Sequence, residues 1–333
     1  MDSNANVTTT PSSALRLVST KGMSREEWLK VRKSGLGSSD AAAAIGLNPY
    51  QSKLELWMIK TGRAEAMPQA DPDDQSSPMY WGNVLEPIVA EHYSLRTGRK
   101  VRRVNAVLQH RDPDKTWMLA NLDYSVVGDA DVQILECKTA GEFGSRLWKE
   151  GVPEYVQCQV QHQLAVTGKQ TADVCVLLCG QEVRIYRVER DEKLIACLID
   201  LEERFWACVK ADVPPLTDGS DSAALALRYL YPRDSGQVLD LREDSEMCQS
   251  FDQLQSIRRQ QERLKQAESA LKQSLQQRMG DASKALFESG HVTWRKSKDA
   301  MALDVKRLLD DQPDLLARYP LTRPGSRRFL ITS

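Results

Sequence analysis

Apolar positions recur first at helical spacing, then alternate, then return to helical spacing, and these periods set the expected architecture. Arg25 to Arg32 reads as a first helix. Ser24, with Glu27 three positions on, gives it the spacing of a capping box. Gly35 and Gly37 break it, and Ser38 or Ser39 then caps a helix over Ala41 to Ile45 that ends at Gly46 and Asn48-Pro49. A third helix is expected over Ser52 to Lys60. The stretch Met67 to Ser77, rich in Pro, Asp, Gln and Ser, reads as a loop. Tyr80 to Thr97 follows as a long amphipathic helix with Leu85, Ile88, Val89 and His92 on its inner face. Pro87 inside it predicts a kink or a late start.

The period then shortens. Lys100 to Gln109, Trp117 to Ala120, Asp123 to Val127 and Val132 to Thr139 have strand character and are spaced as a meander. Helices over Glu142 to Glu150 and Glu154 to Thr167 come next. Strands over Ala172 to Leu178 and Glu182 to Val188 follow, and a helix over Asp191 to Lys210 closes the unit. The fold class implied is α/β, with helices and strands mixed in one core.

Beyond Pro214-Pro215 the character changes. Residues 216–241 read as a linker, and residues 242–333 as an appendage outside a main domain of residues 21–215. Within the appendage, Glu243 to Met279 is almost all Gln, Glu, Arg, Lys, Ser, Leu and Ala, with apolar residues recurring at Ile257, Leu264, Leu271, Leu275 and Met279, a near-heptad stripe. Gly280-Asp281 stops that helix. A hairpin around Val292 to Trp294, a helix near Val305 to Leu309 and a last strand over Arg328 to Ile331 are expected after it. The long helix either packs on a partner or DNA, or stabilises its own domain.

Composition narrows the functional class. The 333-residue chain has no run near the ~20 apolar residues a membrane helix needs. Its first 20 residues are Ser/Thr/Asn-rich and read as a disordered tail with no signal peptide, which makes a cytoplasmic location the expectation. The seven cysteines are scattered with no CxxC pair, as expected for free thiols in a reducing compartment and not for a zinc or iron–sulfur site. A net charge of −1 is no global signature of nucleic-acid binding, although a local basic cleft is compatible with it.

The chemistry concentrates in Asn121-Leu122-Asp123 and Ile134-Leu135-Glu136-Cys137-Lys138. On a strand, residues two apart share a face and lie ~6.5–7 Å from one another. Glu136 and Lys138 therefore project together, with Leu135 and Cys137 on the other face. If Asp123 borders the paired strand, two carboxylates and an ammonium converge. Mg²⁺ prefers oxygen ligands and keeps several waters, so two carboxylates and a backbone carbonyl, here that of Cys137, make a sufficient protein cage. Such an ion lowers the pKa of bound water and clamps phosphate oxygens, while Lys138 supplies a compact point charge. The same pattern on its own is also common as surface charge on an edge strand. Glu86 on the preceding long helix is a candidate third ligand. Gln159, Gln161 and Gln163 alternate on a later helix, with Gln159 and Gln163 on one face.

With these residues in view, the chain resembles the phage lambda-type alkaline exonucleases, and more narrowly the YqaJ-like viral recombinases of the PD-(D/E)xK nuclease superfamily. The resemblance runs from Ser24 to Pro214. It rests on five motifs in order: Arg32 with Gly35-Leu36-Gly37-Ser38-Ser39-Asp40, Trp81-Gly82 with Glu86, Asp123, Glu136-Cys137-Lys138, and Gln159-Val160-Gln161. It implies a central mixed sheet flanked by helices, with the C-terminal helical appendage outside it. Glu86, Asp123 and Glu136 then look like metal-binding carboxylates, Lys138 like the catalytic lysine, and Gln159, or Gln161 in the other register, like the glutamine of the last motif. Arg32 and Ser39 match the family's pocket for a terminal 5′-phosphate, and an Arg fork beside free backbone N–H groups suits that anion. The chain departs from the family where Tyr124 replaces a Gly directly after the motif aspartate.

The function implied is a 5′→3′ exonuclease that uses Mg²⁺, or Mn²⁺ in its place, on ends of double-stranded DNA. It would leave a 3′ single strand for a phage-type annealing protein, and family resemblance alone implies a homotrimer. Two other readings stay open: an endonuclease of the same superfamily, and a recombination module that binds DNA or a partner without cutting.

Overall fold

Strand alternation in the first part of the chain produces two sheets, and the chain passes between them more than once. The computed structural model describes residues 14–68, 71, 73–322 and 325–332. In chain order the first unit holds β1 (Leu15–Ser19), α1 (Arg25–Lys33), β2 (Leu36–Gly37), α2 (Ala41–Ile45), α3 (Lys53–Lys60) and α4 (Pro78–Thr97). There follow β3 (Lys100–Arg103), β4 (Ala106–Gln109), β5 (Met118–Asn121), β6 (Tyr124–Val127) and β7 (Ile134–Ala140). The unit closes with α5 (Glu142–Ser145), α6 (Glu154–Thr167), β8 (Thr171–Leu178), β9 (Glu182–Glu189), α7 (Glu192–Ala211) and α8 (Asp221–Leu230). The smaller sheet has the order β1-β4-β5-β2 and the larger β3-β6-β7-β8-β9. Both are mixed: β2 runs parallel to β5 and β7 parallel to β8, while the other pairs are antiparallel.

The large sheet is covered on both faces, as a sheet with a parallel pair requires. Ile134, Val174 and Val176 join the main core with Val160 and Leu164 of α6. Leu135, Cys137 and Cys175 point the other way and pack on Val89, Ala90 and Tyr93 of α4. The fold class is the expected one, an α/β core with sheets flanked by helices.

Several expectations change in detail. Most of the predicted N-terminal tail, residues 1–13, lies outside the described residues, but Leu15–Ser19 is a strand paired antiparallel with β4. The run from Lys100 to Gln109 is two strands, because the chain changes sheet at Val104-Asn105. Neither Ser38 nor Ser39 caps α2; they form a 3-10 turn with Asp40, which precedes the helix. Helix α4 starts at Pro78, capped by Ser77, and continues through Pro87. Its inner face is Glu86, Val89, Ala90 and Tyr93, whereas Ile88 and His92 are exposed. The helix predicted over Glu142 to Glu150 is shorter, since α5 ends at Ser145 and a 3-10 turn follows.

The domain boundary also moves. The chain divides into units Met1–Pro232 and Arg233–Ser333. Residues 221–230 of the predicted linker are therefore α8, a part of the first unit that Ser220 caps and whose Ala223 and Ala226 are buried. The second unit holds α9 (Ser245–Met279), β10 (Lys284–Phe287) paired with β11 (Gly290–Thr293), α10 (Val305–Asp311) and α11 (Asp314–Arg318). No side chain of α9 is buried, and its stripe of Ile257, Leu264 and Leu271 is exposed. The strand predicted at Arg328 to Ile331 is not formed. Among the described residues no helix is long and apolar enough to cross a membrane, and all seven cysteines are free.

Candidate active site

The site originates where the chain leaves one sheet for the other. Strand β5 belongs to the small sheet and β6 to the large one, and Leu122-Asp123 is the link between them. Strand β6 pairs with β7 only through Tyr124↔Leu135 and Ser125↔Ile134. From Glu136 onward the β6 side of β7 therefore has no strand neighbour, and its backbone groups need other partners. The Asp123 carboxylate supplies one: Cys137 N–H donates to Oδ2 at 2.8 Å. The link itself is held by Val104 N–H, which donates to the Asp123 carbonyl at 3.0 Å.

Alternation on β7 points Glu136 at α6. Its carboxylate is buried and fully engaged. Oε1 accepts from Lys138 Nζ at 2.8 Å and from Gln159 Nε2 at 2.6 Å, and Oε2 accepts from Gln163 Nε2 at 2.8 Å. Gln159 Oε1 in turn accepts from Lys138 Nζ at 2.9 Å. One glutamine thus orients both the carboxylate and the ammonium. Helix phase separates the three glutamines. Gln159 and Gln163, one turn apart, face the site, whereas Gln161 faces away, donating to the Glu189 carbonyl and accepting from Asp191 N–H at the start of α7. Gln163 was visible in the sequence only as a residue sharing the Gln159 face; its bond to Glu136 gives it a part in the site.

Glu86 arrives from α4 on the opposite side of the sheet, because it continues the Val89/Tyr93 face one turn earlier. Arg103 Nη2 lies 3.1 Å from its Oε1, yet that buried oxygen has no hydrogen-bond partner. Arg103 carried no signal in the sequence reading.

Burial, with the crowding of negative charge, shifts Asp123 and Glu86 in one direction. Burial, then the charge of Glu136 and more weakly that of Glu86, raises the Asp123 pKa well above the usual carboxylate range, against the opposing effect of Lys138. Burial also raises Glu86, with Glu136 adding to it and Arg103 opposing. At Lys138 burial acts to lower the pKa, but the charges of Glu136 and Asp123 outweigh it and leave the ammonium favoured. The Cys137 thiol is pushed far up by burial and lies in the apolar cluster on the other face, so only its backbone can serve the site.

Among the described residues no group of three or more His, Cys, Asp or Glu side chains is placed so as to hold a metal ion. The donor set nevertheless fits an open site for a hard divalent cation. Asp123 and Glu86, whose proton affinity burial and the Glu136 charge raise, and a buried Glu86 oxygen with no hydrogen-bond partner, are the environment a cation neutralises.

The same cleft, about 350 Å³ in volume, is lined by Arg32, Ser38 and Ser39 as well as by Glu86, Asp123, Glu136, Lys138 and Gln159. Arg32 lies in the last turn of α1 and stacks on the Trp28 ring with its guanidinium carbon 4.9 Å from the centroid. Its Nη2 donates to Ser39 Oγ at 2.9 Å and pairs with Asp40. The turn over residues 35–37 can lie this close because Gly35 has no side chain: a Cβ there would meet the Trp117 carbonyl oxygen at 2.4 Å and Leu119 Cγ at 2.9 Å. All the predicted site residues thus meet in one cleft, Cys137 through its main chain.

A sequence profile of the YqaJ-like viral recombinase domain matches residues 27–170, which contain this whole constellation. The uncharacterized protein YqaJ of Bacillus subtilis (strain 168) is 34% identical over 298 residues, covering 88% of this chain and 90% of its own length. Among solved structures, an alkaline exonuclease from Laribacter hongkongensis is 24% identical with a TM-score of 0.46, over 56% of this chain and 93% of its own. A phage related exonuclease from Haemophilus somnus 129PT is 12% identical with a TM-score of 0.35, over 56% of this chain and 99% of its own.

Proposed function

The chain belongs to the YqaJ-like viral recombinase family, and from that premise we propose that it is a metal-dependent 5′→3′ exonuclease acting on ends of double-stranded DNA. The observation that carries the reading is the shared cleft. A carboxylate–lysine cluster suited to phosphodiester hydrolysis and an Arg/Ser corner suited to a terminal phosphate line the same 350 Å³ space. A pure endonuclease has no use for the second feature beside the first. A non-catalytic module has no use for a buried Glu136 tied to Lys138 and two glutamines.

Glu86, Asp123, Glu136 and the Cys137 carbonyl would hold Mg²⁺ or Mn²⁺, and the cation would supply Lewis acidity and a hydroxide near neutral pH. The residues of the chain do the remainder. Lys138, kept protonated by Glu136 and Asp123, places a positive charge beside the phosphate that develops negative charge. Gln159 fixes that ammonium and the Glu136 carboxylate relative to each other. Arg32 and Ser39 grip the 5′-phosphate, so that the end of a strand, and not an internal bond, is presented. Strand removal from a 5′ end leaves a 3′ single strand, the substrate of an annealing protein. That partner and a homotrimeric assembly belong to the same proposal.

The test compares linear duplex carrying 5′-phosphate, linear duplex carrying 5′-hydroxyl, and covalently closed circles, each with Mg²⁺ and with EDTA. Degradation of the phosphorylated linear duplex with Mg²⁺, faster than of the 5′-hydroxyl form and absent on circles, is the expected result. Asp123→Ala and Lys138→Ala should abolish it while folding persists. Full activity in either variant removes the proposed centre. Equal rates on both kinds of end remove the end recognition.

A further inference from the structure

Beneath Arg32 lies a second charged pair that the hydrolytic cluster does not use. Lys60 is the last residue of α3, and its side chain is only 2% exposed. Its ammonium donates to the Arg32 carbonyl at 2.7 Å, the Gly35 carbonyl at 2.8 Å and Asp40 Oδ2 at 2.6 Å. These three acceptors match the three protons of a charged amine. Asp40 is buried as well. Oδ2 also accepts from Gly37 N–H at 2.9 Å, and Oδ1 pairs with Arg32 Nη2. Burial acts to raise the Asp40 pKa, but the Arg32 and Lys60 charges prevail and hold the carboxyl below its ordinary value.

A buried ion pair is a weak source of stability, since apolar residues of similar volume often serve as well or better. What this pair does supply is position and sign. Through its bonds to the Arg32 and Gly35 carbonyls, Lys60 ties the end of α1 to the turn carrying Ser38 and Ser39. Asp40 orients the Arg32 guanidinium on the Trp28 face. A carboxylate this close to a phosphate grip would by itself oppose anion binding. Arg32 and Asp40 alone sum to zero charge; with Lys60 the trio carries one net positive charge.

We propose that Asp40 and Lys60 are positioning residues for the 5′-end grip: Asp40 aims Arg32, and Lys60 cancels the Asp40 charge so that the corner remains attractive to a terminal phosphate dianion. The proposal rests on the reading of Arg32 and Ser39 as that grip. It assigns to Lys60, which does not line the hydrolytic cleft, a share in choosing the substrate end.

The experiment measures kcat/KM of the full chain on 5′-phosphorylated and 5′-hydroxyl linear duplex, and takes their ratio. Partial unfolding lowers both values equally and leaves the ratio intact, so the ratio reads the grip and not stability. Lys60→Met keeps the length of the side chain and leaves Asp40 uncompensated; the ratio should fall roughly tenfold, the effect of one unscreened charge near the phosphate. The double variant Asp40→Asn with Lys60→Met removes both charges, keeps an oxygen acceptor for Arg32, and should recover most of the preference. A ratio unchanged in Lys60→Met, or a double variant as poor as the single, overturns the proposal. If the natural chain itself does not distinguish the two ends, the grip reading fails and takes this one with it. If the natural chain distinguishes them and Lys60→Met does so equally, only the present inference falls.

Discussion

Asp123→Asn should make the metal-free protein more stable while removing its activity. The substitution is nearly isosteric and keeps an oxygen to accept from Cys137 N–H. What disappears is a buried negative charge beside Glu136 and Glu86. Two like charges within a few ångströms at an effective dielectric of ~20 repel by roughly 3–4 kcal/mol. Lys138 already offsets part of this, so the net gain is on the order of 1–2 kcal/mol. In a unit the size of Met1–Pro232 each kcal/mol moves Tm by about 2–4 °C, which gives a rise of roughly 2–8 °C in EDTA. Thermal unfolding followed by intrinsic fluorescence, with EDTA and then with saturating Mg²⁺, measures it. With Mg²⁺ the order should reverse, because the natural site gains about 2.7 kcal/mol at a hundredfold excess over Kd and the variant has lost a ligand. Degradation of linear duplex should fall by a factor on the order of 10³ or more, the scale of losing a group that acts on the transition state. A variant less stable than the natural chain in EDTA would refute the claim that the carboxylates oppose one another. A variant with undiminished Mg²⁺-dependent cleavage would refute the assignment of Asp123.

Gln163→Leu removes the donor to Glu136 Oε2 and should reduce kcat roughly 10–100-fold, with a smaller effect on KM, in steady-state assays on duplex DNA. Unaltered kcat would show that Gln159 and Lys138 suffice to hold the carboxylate. Gly35→Ala forces a Cβ against the Trp117 carbonyl and should destabilise the fold by about 1–3 kcal/mol in urea titrations, with weakened preference for phosphorylated ends; a change below ~0.5 kcal/mol would mean that β2 shifts freely. The raised Asp123 and Glu86 pKa values fix a sign for pH. A native state that binds protons more tightly than the unfolded chain is favoured below the unfolded carboxylate pKa and loses that advantage as pH rises through the native values. The Tm increment produced by Mg²⁺ should therefore grow with pH through that window, as protons cease to compete with the cation. An increment that is flat from pH 5 to pH 8 would count against it.

The convergence of Glu136 and Lys138 was legible because their relation is local. Glu136 and Lys138 are two apart on one strand, and strand alternation alone puts them together. The glutamine register was not legible, because it depends on the phase of α6 against the sheet, which three alternating glutamines leave open. The inner face of α4 was read one position off, since Ile88 looks like core and Glu86 does not. Yet burial of Val89, Ala90 and Tyr93 turns Glu86 inward. The split of Lys100 to Gln109 into two sheets was hidden in a run of valines, and α8 was hidden by Asp218 to Ser222, turn residues that include the Ser220 cap. Asp40 and Lys60 are twenty residues apart on separate elements, and charged side chains at such positions read as surface; only the fold reveals that both are buried and paired.

The parallel pairing of β2 with β5 has a last consequence. Gly37, beside the Arg32 and Ser39 corner, lies opposite Leu119, and Asp123 follows Leu119 by four residues along the same stretch of chain. The Arg32/Ser39 corner and Asp123 are thus joined by four residues of chain, ~13 Å at full extension, with no long loop between them. Under the proposed end-holding activity, the length released at each turnover would be set by that span, and altering it would mean inserting residues into β5 and not reshaping the cleft.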